Sequence, residues 1–383
     1  MGTGPLSGLR VIEIAALGPG PFSGMLLADM GAEVIVVDRP RPPAWLPDPT
    51  TDLTRRGRRS IAVDLKSVGG AEVVLRLAAS AEALIEGFRP GVMERAGIGP
   101  AEVLARNPAI VYGRVTGWGQ DGPLAQAAGH DIDYIAVAGT LDSIGPGGGP
   151  PVPPLNLLGD FGGGGMLLAF GLLCGVLHAR QTGRGQVIDA SMVDGVALLS
   201  TALHSARAAG WWSDERGDNL LDGGSPLYRV YECAGGGYLA VGALEPQFAA
   251  RLLDRLGITP DAPRDAFDRS TWEVLGRQLE RVFLERSRDE WCALLTGDDC
   301  CVAPVLTAAE APGHPHNAAR RTFIAPGGIT QPAPAPRFTR TPGAVGTPPP
   351  RPGADTIDLL AEVGYSPSEI EGLLDNGSVA LGL

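Results

Sequence analysis

The chain has 383 residues, 44% of them hydrophobic and 19% charged, which marks it as globular and long enough for two domains rather than one ordinary core. A net charge of −12 disfavours nucleic acid or an anionic membrane surface as the main partner. Five cysteines without a CxxC pair support neither a disulfide framework nor a zinc ribbon, so no metal is expected and a reducing compartment fits best.

Residues 9–38 read strand, turn, helix, strand: LRVIEIA, ALGPGP, FSGMLLADMGA and EVIVVDR. Apolar runs rich in β-branched residues suit buried parallel strands joined by a short helix. Gly18, Gly20 and Gly24 ahead of the strand-terminal Asp38 look like a dinucleotide-binding loop. The spacing is not G-x-G-x-x-G, however, and Pro19 and Pro21 lack the donors that a pyrophosphate would need. A tight turn of an open α/β sheet is therefore expected, and a nicotinamide cofactor is not.

A run of cations follows: Arg39, Arg41, Arg55, Arg56, Arg58, Arg59 and Lys66. Charge alone leaves two readings open, a phosphate-binding surface or a solvated loop. IAVDLK (61–66), ALIEGF (83–88) and AIVYGRVTGWG (109–119) read as further strands, with helices at 71–81 and 101–106. The alternation predicts a large, doubly wound, Rossmann-like open sheet for the first part. Arg89 follows a strand end, where ligands of such sheets sit.

His130 and Asp131 form a His-Asp pair in a polar turn, and Asp160 precedes the run FGGGGMLLAFGLLCGVLHA. That run has nearly the length of a membrane span, but its glycines and flanking Asp predict a buried core helix. A helix cap would account for Asp160. Four consecutive glycines exceed what a cap needs and are expected to let a ligand approach the positive end of the helix. A strand at 186–192 and a helix at 193–210 complete the first part, 1–210. A linker at 211–226 leads to a smaller α+β domain at 227–325, with helices around 246–256 and 271–295. Glu245 ends a strand-like run before Pro246 and reads as either a surface residue or a site carboxylate. A Pro-rich return at 331–354, within 326–383, leads back to the large domain through a terminal amphipathic segment. Neither a signal peptide nor a peroxisomal tripeptide is recognised, so a cytoplasmic location is expected.

Together these stretches resemble the family III CoA-transferase superfamily and, within it, the α-methylacyl-CoA racemase branch. The resemblance rests on GPGPFSGMLLADMGAEVIVVDRP, LIEGFRPGVMERAGIG, GRVTGWGQDGP, AGHDIDY, PPLNLLGDFGGGGM, GQVIDASMVDG and YECAGGGYLAVGALEPQF, and runs from Leu6 to about Thr341. It implies an acyl-CoA substrate, no cofactor beyond the CoA moiety, and an interlocked homodimer with its active site at the subunit interface. By the same resemblance His130 and Asp160 are the two catalytic bases and Glu245 supports the histidine from the partner subunit. Asp131, Asn156, Gly162 and Gly163 would support the site. Arg39, Arg55, Arg56, Arg58, Val63, Leu65, Lys66, Gly87, Arg89, Val92 and Arg95 would hold CoA. The implied reaction is epimerisation of a 2-methylacyl thioester through an enolate stabilised at the glycine-rich helix start. The alternative is CoA transfer with Asp160 as nucleophile.

Overall fold

In a computed structural model, which describes residues 4–41, 48–258 and 268–382, the chain forms two compact units. The larger contains residues 1–138, 155–199 and 321–383, and the smaller 139–154 and 200–320. The first part expected to run unbroken to 210 is thus interrupted: the chain leaves the large unit after Ala138, returns at Leu155 and leaves again after Leu199. The expected helix 193–210 breaks at Ser200, where this second departure occurs.

The large unit opens with β1 (Arg10–Ile14), α1 (Pro19–Asp29), β2 (Glu33–Asp38), β3 (Arg58–Val63), α2 (Val68–Ala79) and β4 (Ala83–Glu86). It continues with α3 (Val92–Arg95), α4 (Pro100–Arg106), β5 (Val111–Thr116) and α5 (Asp131–Val137). A ten-residue π-helix, Leu157–Met166, runs into α6 (Leu167–Thr182), followed by β6 (Val187–Ser191) and α7 (Met192–Leu199). The small unit holds α8 (Thr201–Ala208), β7 (Tyr228–Glu232), β8 (Tyr238–Gly242), α9 (Pro246–Arg255), α10 (Trp272–Phe283), α11 (Arg288–Leu295), β9 (Val302–Pro304) and α12 (Pro315–Arg320). It has three antiparallel strands, and Tyr231, Leu239 and Val241 of these pack, with Leu227 ahead of β7, against Leu252, Leu275, Leu279 and Phe283 of its helices. Back in the large unit come β10 (Phe323–Ile324), β11 (Gln331–Pro332), α13 (Thr356–Glu362), α14 (Pro367–Asp375) and β12 (Val379–Ala380).

The seven strands of the large sheet run in the order β12-β3-β2-β1-β4-β5-β6, all parallel except β12. Side chains alternate across a strand, and both faces are covered. Ile12, Ile14, Ile35, Val37, Leu84 and Tyr112 pack on one face with helices α2, α4, α13 and α14. Val11, Val34, Ala83, Ile85 and Val111 pack on the other with α1 and α6. Each such Ile or Leu, fully buried, contributes about 1.5–3 kcal/mol. Helix α6 buries Leu168, Leu172, Val176 and Ala179 at helical spacing, as a core helix does.

Two local expectations change. The segment read as a turn, 18–21, is the beginning of α1: Pro19 is its first residue, where a missing N–H costs nothing. The C-terminal segment adds the edge strand β12, tied in by Asp355, which accepts the Ser60 N–H at 2.8 Å, and by Thr356, whose hydroxyl accepts the Ala62 N–H at 3.2 Å.

Candidate active site

A cleft of about 840 Å³ opens at the C-terminal ends of the parallel strands. Its walls are Ala15–Pro19 after β1, Asp38 and Arg39 after β2, Gly87–Arg89 after β4, and Val115–Trp118 at the end of β5, together with Arg55, His130, Tyr134 and Asp160. The strand order reverses between β1 and β4. Loops leaving a sheet at such a reversal diverge and leave a crevice.

His130 is the N-cap of α5, and its N–H donates to the carboxylate of Asp133 at 2.9 Å. One turn further along, Tyr134 donates its hydroxyl to the carbonyl of Gly129 and meets Trp118 edge-on at 4.9 Å. Gly129 must be small, because a Cβ there would lie 2.7 Å from the Tyr134 ring. Burial, with the charge of Asp160 next, pushes the Tyr134 hydroxyl up to about 12, so it stays a donor at physiological pH. The His130 side chain itself is exposed in the single chain.

Asp160 does not cap a helix. It is the fourth residue of the π-helix, whose N-cap is Asn156. The Asn156 amide donates to Asp160 Oδ2 at 3.1 Å, and the Asp160 N–H donates to Asp131 Oδ2 at 2.7 Å. Burial raises the Asp160 carboxyl above the ordinary carboxylate range, and the Asp131 charge adds to this. The Asn156 bond and His130 act in the opposite sense. Gly18, with φ +70°, faces the same carboxylate, and a Cβ there would lie 3.0 Å from Oδ2.

The glycines after Asp160 serve packing. Gly163, Gly164 and Gly165 are buried. A Cβ on Gly163 would meet the Val196 nitrogen and Met192 carbonyl of α7 at 2.9 and 3.0 Å; on Gly165 it would meet Phe22 of α1 at 2.7 Å. Gly162 faces Leu199. Glycine at 163 and 165 thus lets helices α7 and α1 approach closely.

The arginine run sorts itself by burial. Arg55 reaches the cleft wall with Nη2 paired to Asp38 at 2.6 Å, while its Nε is buried without a partner among the described residues. Arg56 is buried in a two-point pair with Asp29 at 2.5 and 3.0 Å. Arg58 is buried against Glu13 at 2.8 Å and the carbonyls of Thr54 and Pro21. Arg56 and Arg58 are thus tied into the interior rather than presented to a phosphate, contrary to expectation. Arg39 and Arg89 are exposed on the cleft wall, and Gly87 lies beside them.

The remaining expected CoA contacts stand outside the walls. Val63 is in the core, Leu65 packs against it, Lys66 is exposed, and Val92 and Arg95 are on α3. Met166 is exposed outside the cleft, whereas Met192 lines it. Glu245, in the small unit, is the exposed N-cap of α9, extended ahead of Pro246.

Sequence reading missed Trp118, Tyr134 and Glu86, and took Gly18 only for part of a turn. Glu86 is fully buried and accepts the Phe88 N–H at 2.7 Å and Arg114 Nε at 2.8 Å, which shapes the 87–89 turn. Tyr134 could have been found as the residue four places beyond His130, on the same helix face.

The chain is similar to known proteins over nearly its whole length. The family model described as CoA-transferase family III matches residues 6–356. The chain is 44% identical over 367 residues to an alpha-methylacyl-CoA racemase of Mus musculus, covering 95% of each. It is 42% identical over 369 residues to the Homo sapiens protein of the same name, again covering 95% of each. Among solved structures, a CAIB/BAIF family protein from Brucella suis aligns with a TM-score of 0.82 at 25% identity, over 94% of this chain and 99% of that one.

Proposed function

This chain belongs to CoA-transferase family III, and from that premise we propose that it is an isomerase interconverting the epimers of 2-methylacyl-CoA thioesters. The observation that carries the reading is a histidine and a carboxyl of raised pKa on the walls of one cleft, in a chain that is 44% and 42% identical to two racemases.

His130 removes the α-proton from one face of the thioester, leaving an enolate, and protonated Asp160 returns a proton to the other face. The reverse reaction exchanges the roles. A carboxyl whose protonated form is favoured by burial is suited to act as the proton donor. The same burial disfavours the ionised form that a nucleophilic Asp160 would need for CoA transfer. The Asp160 N–H is already taken by Asp131. The best-situated donors for the enolate oxygen are then the N–H groups of Asp131 and Ile132 at the start of α5, beside His130, since those of Asp133 and Tyr134 already donate to the His130 carbonyl. Arg39, Arg55 and Arg89 line the cleft and offer cations to the CoA phosphates; no other cofactor enters the scheme.

A second copy of the chain completes the site through Glu245. Exposed apolar side chains support a dimer: Met166, Phe170 and Leu177 along the π-helix and α6, and Leu198 and Leu199 on α7. A cytoplasmic setting suits five cysteines that are all unpaired.

The deciding experiment incubates one epimer of a 2-methylacyl-CoA with the protein in D₂O without a free carboxylic acid. Deuterium uptake with loss of configuration is expected, falling about 10²- to 10⁴-fold in His130→Ala and Asp160→Asn. Absence of exchange, with CoA transfer appearing once a carboxylic acid is added, would make the protein a transferase.

A further inference from the structure

We propose that Asp131 is the positioning residue that ties the two bases together, its side chain gripping the backbone of Asp160 while its own peptide carries His130. The inference rests on the racemase reading above and adds a coupling between its two catalytic groups.

Asp131 is the first residue of α5 and is only 5% exposed. An aspartate at this position ordinarily faces water and is stabilised by the positive end of the helix. Here it turns inward to the first turn of the π-helix, where Oδ2 accepts the Asp160 N–H at 2.7 Å. Gly159 makes this possible, since a Cβ there would lie 2.6 Å from that oxygen and 3.1 Å from the Asp131 Cα. The other oxygen, Oδ1, is buried with no partner among the described residues.

A buried carboxylate held by one hydrogen bond is costly, and neither helix needs it in order to start. Its position explains its presence. Residues 130 and 160 lie on different helices separated by an excursion of the chain into the small unit, so their spacing depends on side-chain contacts. The Asp131 bond supplies one directly at the backbone of the second base. Its negative charge also faces the Asp160 carboxyl. The other groups acting there are the Asn156 amide, His130, and the Tyr134 hydroxyl, whose proton the Asp160 charge helps to retain. Gly18 brings no charge from the side of α1.

The test uses the full chain as Asp131→Asn and Asp131→Ala. Two readouts are taken: kcat and KM across pH for a 2-methylacyl-CoA, and a ¹³C-carboxyl NMR titration in which the Asp160 signal is assigned by its loss in Asp160→Asn. Asparagine keeps an acceptor for the Asp160 N–H but removes the charge. Asp160 should then titrate at lower pH than in the wild type, the limb of the rate profile that it governs should move the same way, and kcat should stay within about tenfold. Alanine also removes the tether, so kcat should fall about 10- to 100-fold, the scale of a small misplacement of a reacting group, while KM stays within about threefold. An Asp160 titration unchanged in Asp131→Asn, or an alanine variant that keeps wild-type kcat or loses KM and melting temperature together, overturns the proposal. If the wild type proves not to epimerise, the racemase reading falls, and the NMR titration still decides whether Asp131 acts on Asp160.

Discussion

Arg56 and Arg39 are both cations of one short basic stretch, yet they should fail in opposite ways when removed. Arg56 and Asp29 have side chains only 3% exposed each, joined at 2.5 Å. Arg56 Nη1 further donates to Gln331 Oε1 at 2.8 Å and to the Pro332 carbonyl at 3.0 Å. Arg56→Ala leaves the Asp29 carboxylate buried without its cation, a loss of about 3–5 kcal/mol. Against a total stability of about 5–15 kcal/mol, this is a large fraction, so a marked drop in melting temperature is expected. KM for a 2-methylacyl-CoA should hardly change in the protein that remains folded. Arg39 is exposed on the cleft wall and forms no ion pair among the described residues. Its loss should leave the melting temperature in place and remove a charge-assisted contact of about 1.5–3 kcal/mol, raising KM about 10- to 100-fold. The paired substitution Arg56→Met with Asp29→Leu should recover part of the lost stability, because it removes the orphaned charge as well. An Arg56→Ala protein with wild-type melting and a raised KM would refute the argument, since Arg56 would then have to leave its pair to meet the ligand.

Two further outcomes concern stability. A carboxyl whose folded pKa is raised binds its proton more tightly in the folded state, so stability declines as pH rises from the ordinary carboxylate range through the raised value. Asp160 is such a group. Asp160→Asn should therefore melt higher than the wild type near about pH 7.5, with the gap closing below about pH 4, as read by calorimetry at both pH values. The glycines of the helix contact should differ sharply. A Cβ on Gly195 would fall onto the Gly163 carbonyl, whereas one on Gly162 meets the flexible end of Leu199 at 3.1 Å and the Leu157 carbonyl at 3.2 Å, distances that a shift of a few tenths of an ångström relieves. Gly195→Ala should lose at least about 1–3 kcal/mol through overpacking, and Gly162→Ala should stay near neutral in urea unfolding.

The strands and helices of the large unit are written in the local order of side chains. β-branched runs at 10–14, 33–38 and 111–116 are buried on both faces, and Leu168, Leu172 and Val176 recur at helical spacing. Period and composition act over a few residues, so a sheet with covering helices is legible without coordinates. The sequence also marked out His130, in a polar turn, and Asp160, beside a glycine run, and both line the cleft. What the neighbouring residues do was not legible, because that depends on partners far away in the chain. Nothing between residues 55 and 58 distinguishes an arginine facing a ligand from one facing the core. Asp29, Gln331 and Glu13 make the distinction, and folding alone brings them to Arg56 and Arg58. The four glycines could as readily have admitted a ligand as a helix; at Gly163 the backbone of α7 occupies the space beside the Cα, and at Gly165 the Phe22 ring and Pro19 backbone of α1 do. The inward turn of Asp131 likewise requires two helices to meet at Gly159, a contact between residues 28 positions apart. Local chemistry determined the elements and marked out His130 and Asp160, and long-range burial decided which charges stay free to act.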